Sequence, residues 1–121
     1  MAISKVFRSF VFVFTVSIFA FNTALAEKCE TIHFKRGESS GTINGIAPPD
    51  DVKCYKMTTG QGQTATLRVV AGKNIIFSID GLVEAQDAYT FTTDRKTYKI
   101  YVGQLMRSIA DEPFTLFVSV E

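Results

Sequence analysis

From residue 30 onward the chain alternates apolar and polar residues in short stretches. In 113–120, Phe114, Leu116, Val118 and Val120 alternate with Thr115, Phe117 and Ser119. In 97–102, Tyr98, Ile100 and Val102 alternate with Lys99 and Tyr101. A period of two marks a strand with one buried face. The same pattern predicts strands over 30–34, 41–46, 52–57, 63–70, 75–79 and 88–92, with Ala65, Leu67, Val69, Ile75, Phe77 and Ile79 facing inward. Between them lie turn residues: Arg36-Gly37-Glu38, Pro48-Pro49-Asp50-Asp51, Gly60-Gln61-Gly62 and Ala71-Gly72-Lys73-Asn74. The last of these is short enough to predict a hairpin between the fourth and fifth strands. Residues 80–87 read as a loop. About eight short strands with turns between them, and no sustained helical period, predict an all-β fold. The expected form is a small antiparallel sandwich of jelly-roll type. The ten residues 103–112 before the last strand are too many for a tight turn. They form a loop of the kind that carries binding, with one helical turn expected over 105–110.

The first 26 residues follow a different pattern. Lys5 and Arg8 precede an apolar run from Phe10 to Phe21, and Ala24-Leu25-Ala26 supplies a small-residue cleavage site. This is the form of a secretory signal peptide, and the run is short for a membrane span. Removing 26 of 121 residues leaves 95, enough for a single domain over 27–121. The removed segment holds two of the 13 basic residues and none of the 12 acids, so 11 against 12 leaves a net charge of −1. That balance gives no electrostatic basis for binding nucleic acid. A periplasmic or secreted location follows, with no membrane span after cleavage.

Export also sets the reading of the two cysteines. Cys29 and Cys54 in an oxidising compartment are expected to form a disulfide. The enclosed loop of about 26 residues corresponds to roughly 3–4 kcal/mol of unfolded-state constraint. Both cysteines alternate out of phase with the apolar residues of their strands. The bridge is therefore expected on the outer side of a sheet, joining the first and third strands.

The chemistry in the chain points away from catalysis. His33 is the only histidine, and no serine stands in a nucleophile elbow. The acidic pairs Asp50/Asp51, Glu84/Asp87 and Asp111/Glu112 have no calcium-loop spacing. Gly60-Gln61-Gly62 lacks the third glycine of a phosphate-binding turn. No catalytic residue, metal site or cofactor is expected. Two features suggest partner binding instead. Tyr101 and Phe117 fall on the polar faces of their strands, where they would stack if those strands were paired. Arg107 stands between Met106 and Ile109 in the long loop, beside Gln104, as a charged anchor with apolar neighbours.

The segment Phe34-Lys35-Arg36-Gly37-Glu38-Ser39-Ser40, followed by Gly41-Thr42-Ile43-Asn44-Gly45, resembles the periplasmic inhibitors of g-type lysozyme. That family carries an F-[KR]-[KR]-G-x-S-S turn and a G-x-I-x-G strand. Similarity continues through Tyr55, Gly62-Gln63, Tyr98, Val102 and Gln104. The strands ending in Val102 and Val120 also resemble the bacterial pre-peptidase C-terminal β-sandwich. The resemblance implies a non-enzymatic protein that inserts side chains into a lysozyme cleft. It implies contact by a Tyr directly after G-x-I-x-G and by arginines in the loop before the last strand. Here Ile46 holds the tyrosine position and Arg107 is the arginine of the loop.

The expected function is an exported, non-enzymatic binding protein, a lysozyme inhibitor by resemblance. Its candidate contact residues are Ile46, Gln104, Met106, Arg107, Tyr101 and Phe117. The alternative is a cell-envelope or carbohydrate-binding module whose partner is a glycan. Either would be a monomer or a weak dimer.

Overall fold

The computed structural model describes residues 28–121, so the expected signal peptide lies outside the described residues. Nine strands build two facing sheets. They are β1 (Glu30–Thr31), β2 (Ser40–Ala47), β3 (Lys53–Thr59), β4 (Thr64–Ala71), β5 (Ile75–Ile79), β6 (Val83–Gln86), β7 (Ala88–Thr92), β8 (Lys96–Gln104) and β9 (Glu112–Val120). One sheet has the order β1-β3-β8-β5-β6 and the other β2-β9-β4-β7. The antiparallel pairs β2·β9, β3·β8, β4·β7 and β5·β6 are nested, outermost with outermost. That nesting is the jelly-roll wrap, and β1 adds to it as a strand parallel to β3.

The wrap corrects three expectations. β4 and β5 are not a hairpin, because they lie in opposite sheets. Their inward residues Leu67 and Phe77 are both fully buried in the shared core. Alternation specifies which face is buried and says nothing about which strand is the neighbour. Residues 80–87 are not all loop. β6 forms there and pairs with β5 across a turn in which Leu82 N–H donates to the Ile79 carbonyl at 3.0 Å. Its alternation is hidden by a bulge opposite Phe77–Ile79 and by Ala85, whose φ is +52°. The helical turn expected over 105–110 is absent, and those residues form bends instead.

The core is made by the alternating residues themselves. Met57, Leu67, Phe77, Ile79, Ile100, Val102, Leu116 and Val118 are almost wholly buried. The glycine-bearing motif owes its form to this packing. Gly41 and Gly45 both point inward from β2. A Cβ on Gly41 would meet the Phe34 ring at 3.6 Å, and one on Gly45 would meet Phe114 Cζ at 2.6 Å. The Phe114 ring occupies the space that a side chain at 45 would need, while Phe34 lies at ordinary contact distance from position 41. In the preceding turn Gly37 has a φ of +81°, and Glu38 N–H donates to the Lys35 carbonyl at 2.9 Å.

Cys29 and Cys54 are disulfide-bonded, with a sequence separation of 25. Cys29 directly precedes β1 and Cys54 lies in β3, so the bond anchors a strand of only two residues. Cys54 is on the outer side of its sheet, in register with Tyr101.

Two outcomes follow. Gly45→Ala should lower the unfolding free energy in urea by about 1–3 kcal/mol, because the buried Phe114 ring would have to shift to admit the methyl group. An unchanged midpoint would mean that the ring moves freely. Replacing both cysteines by serine should cost roughly 2–4 kcal/mol in the same assay.

Candidate protein-binding end of the sandwich

Ile46 and Ala47 close β2, Gln104 closes β8 and Glu112 opens β9, so the segments 48–52 and 105–111 meet at one end of the sandwich. Pairing of β2 with β9 places Ile46 opposite Pro113 and Ala47 opposite Glu112. The Gln104 side chain binds these parts together. Its Nε2 donates to the Ala47 carbonyl at 3.0 Å and to the Ala110 carbonyl at 2.9 Å. Its Oε1 accepts from Ser108 N–H at 3.0 Å and from the Ser108 hydroxyl at 2.9 Å. Gln104 thus shapes the loop from within.

The other flank is held by Asn74, in the left-handed region at a φ of +62°. Its carbonyl accepts from Leu105 N–H at 2.9 Å and its Oδ1 from Met106 N–H at 2.8 Å. Its Nδ2 donates to the Met106 carbonyl. Nothing in the local sequence pairs position 74 with 106, so this clamp was invisible before the fold. Arg107 forms an ion pair with Asp50, joining the long loop to the proline loop. Both side chains are largely exposed, and such pairs contribute roughly 0.2–1 kcal/mol. Val52 meets the long loop at its root, where a Cβ on Gly103 would lie 3.0 Å from Val52 Cγ1.

The surface so built is apolar. Ile46 is 52% exposed, Val52 47%, Leu105 61%, Met106 72% and Ile109 fully. Five of the seven large exposed hydrophobic residues among those described belong to segments 46–52 and 105–109. Scattered exposed apolar residues are ordinary; five of them on two segments that meet at one end mark a candidate recognition surface.

Beside this end, a groove of about 820 Å³ runs between the edge of β2 and the start of β3. Ile46, Pro48, Val52 and the Cys29–Cys54 bond line it, with Tyr55 among its walls. Tyr55 is buried, and its hydroxyl lies 3.1 Å from where a Gly45 Cβ would stand. Burial, and then the nearby Glu30 carboxylate, raise its pKa above the usual 10.0.

Tyr101 and Phe117 are not brought together. β8 and β9 lie in opposite sheets, so the expected stacking between them does not occur. Tyr101 sits on the outer face of one sheet beside the β5–β6 hairpin. Phe117 is on the outer face of the other, with the Arg68 guanidinium 5.0 Å from its ring centroid. His33 is exposed after β1. Among the described residues no three His, Cys, Asp or Glu side chains group as a metal site would require.

The fold and this end define a disulfide-linked jelly-roll sandwich that presents loops at one end. No model of a known family matches the sequence, and no curated protein is similar to it. Solved structures share its fold. The chain is similar to a periplasmic lysozyme inhibitor of g-type lysozyme from Aeromonas hydrophila, with 24% identity and a TM-score of 0.66 over 79% of this chain and all of that one. It is similar to the inhibitor of g-type lysozyme from Salmonella Typhimurium, with 14% identity, a TM-score of 0.64 and the same coverage. It is also similar to the pre-peptidase C-terminal domain of a Bacillus anthracis collagenase, with 15% identity and a TM-score of 0.51 over 79% of this chain and 97% of that domain. The resemblance expected from the sequence is therefore present in the fold.

The raised pKa of Tyr55 gives an alkaline signature. A tyrosine held neutral in the folded state stabilises fully below the unfolded value of 10.0, and the gain is lost as pH rises through the higher folded value. Unfolding free energy should therefore fall as pH is raised above about 10, and Tyr55→Phe should flatten that part of the profile. Equal slopes for both proteins would remove Tyr55 as the cause.

Proposed function

We propose that the mature domain is an exported, non-enzymatic protein that binds in the cleft of a lysozyme and inhibits it. The observation that carries this reading is the set of exposed apolar residues Ile46, Val52, Met106 and Ile109, with Arg107, on two segments that meet at one end of the fold and are joined by the Arg107–Asp50 ion pair. The fold shared with inhibitors of g-type lysozyme supports the target class. In this reading residues 1–26 are a cleaved signal peptide and the protein works in the periplasm or outside the cell. The disulfide agrees with an oxidising compartment.

The residues take separate roles. Arg107 offers a guanidinium to the carboxylates that line a glycosidase cleft. Ile46, Met106 and Ile109 supply desolvated apolar contact around it. Gln104 holds the loop that presents them. Ile46 brings no hydroxyl to the position that follows the second motif glycine, so its contact on the enzyme is an apolar pocket. The platform reading of Phe117 is weaker, because Arg68 already lies over that ring.

Lysis of cells by g-, c- and i-type lysozymes, with and without the oxidised domain, tests the reading. One class should be inhibited. Arg107→Ala should then weaken inhibition at least about fivefold, or about 1 kcal/mol. Full inhibition by the Arg107→Ala protein would remove Arg107 from the contact, and no inhibition of any class would remove lysozyme as the target.

A further inference from the structure

Tyr55 is a core residue whose hydroxyl has no partner within the protein. It lies on the inward face of β3, is 5% exposed, and reaches across to Gly45 of β2. A buried tyrosine ordinarily finds a hydrogen-bond partner. This one makes no hydrogen bond to any described residue, yet its oxygen is not sealed inside the core. It opens onto the groove beside the binding end.

The residues around the hydroxyl state what it can hold. Parallel pairing of β1 with β3 sets Glu30 in register with Tyr55, and both line the groove. Burial, and then this carboxylate, raise the tyrosine's pKa, so the hydroxyl stays protonated at neutral pH. An O–H donor next to a carboxylate acceptor matches a ligand hydroxyl, which accepts from the first and donates to the second. Lys28 and Lys53 stand on the same rim against Glu30 and Asp51, so these charges cancel and select no ion. Ile46, Pro48 and Val52 supply an apolar wall. The volume of about 820 Å³ falls within the range of small-ligand sites, roughly 300–1,000 Å³. A ligand that meets all of these features is neutral, bears hydroxyls and has an apolar C–H face. A saccharide ring has that form.

We propose that this groove is a saccharide-binding site, in which a sugar hydroxyl bridges the Tyr55 hydroxyl and the Glu30 carboxylate while the ring lies against Pro48 and Val52. The Tyr55 ring is itself buried, so it offers no face for stacking, and the affinity rests on hydrogen bonds and is weak. The inference does not depend on the inhibitor role, because a free sugar is bound without any enzyme present.

Backbone amide NMR of the mature, oxidised domain, titrated separately with glucose, galactose, mannose, N-acetylglucosamine and the trimer of the last, tests it. At least one of these sugars should cause saturable shifts in residues 28–30, 44–46 and 51–55. Tyr55→Phe removes only a hydroxyl that no described residue engages, and Glu30 is exposed, so Tyr55→Phe and Glu30→Gln both spare the fold. Each should weaken binding at least about fivefold. Arg68→Ala, on the outer face of the other sheet, should leave binding unchanged. The absence of saturable shifts with every one of these sugars overturns the proposal. So does wild-type affinity in either groove variant, or shifts confined to other surfaces. Shifts in the groove residues that appear only with a lysozyme assign the groove to the enzyme contact and overturn it as well.

Discussion

The Phe114 ring stands where a side chain at position 45 would otherwise be, and the architecture around the candidate site depends on that contact. With glycine at 45, β2 can lie close to the core and keep an unbroken register against β9 from Ser40 to Ala47. Phe34 packs beside Gly41 at ordinary contact distance. The glycine-bearing pattern of β2 is thus first a packing rule: aromatic rings beside glycines, with Ile43 between them. Its consequence for binding lies just beyond it, because the register that the glycines permit puts Ile46 at the exposed end of the sandwich.

From that end the loops are shaped by polar side chains pointing inward and by apolar ones pointing out. Gln104 and Asn74 fix backbone atoms of the 105–110 segment, while Met106, Ile109 and Arg107 project to solvent. The arrangement suits recognition. Loop atoms that are already hydrogen-bonded lose less entropy on binding, and exposed apolar side chains cost little to desolvate. Arg107 is the exception, since it must leave water and release Asp50 before it can pair with a carboxylate on a partner. The gain from that exchange depends on how dry the partner's cleft is.

Much of this was legible in the residues, and the limits have physical causes. Alternation marked the buried faces of β3, β4, β5, β8 and β9, because a two-residue period and a single core leave no other choice. The disulfide followed from the exported character of the chain, and its position on an outer face from the same alternation. Strand partnership was not legible. Short connections such as 71–74 and apolar faces such as those of β8 and β9 fit a hairpin and a crossing between sheets equally well. The jelly-roll nesting is set by contacts far apart in sequence. β6 was missed because Ala85 and a bulge break its period. At the site, Ile46, Met106 and Arg107 were singled out from the loops, but Gln104 proved to be bound within the protein, and Asn74, Asp50 and Tyr55 emerged only when the fold placed them there. Tyr101 and Phe117, out of phase with their neighbours, face opposite sides of the molecule.

Hydrogen exchange across the backbone, for the oxidised domain alone and saturated in turn with g-, c- and i-type lysozyme, tests the central claim most directly. One enzyme should slow exchange in segments 46–52 and 104–110 and leave the outer face around Arg68 and Phe117 as it was. No protection by any of the three, or protection confined to that outer face, would contradict the account.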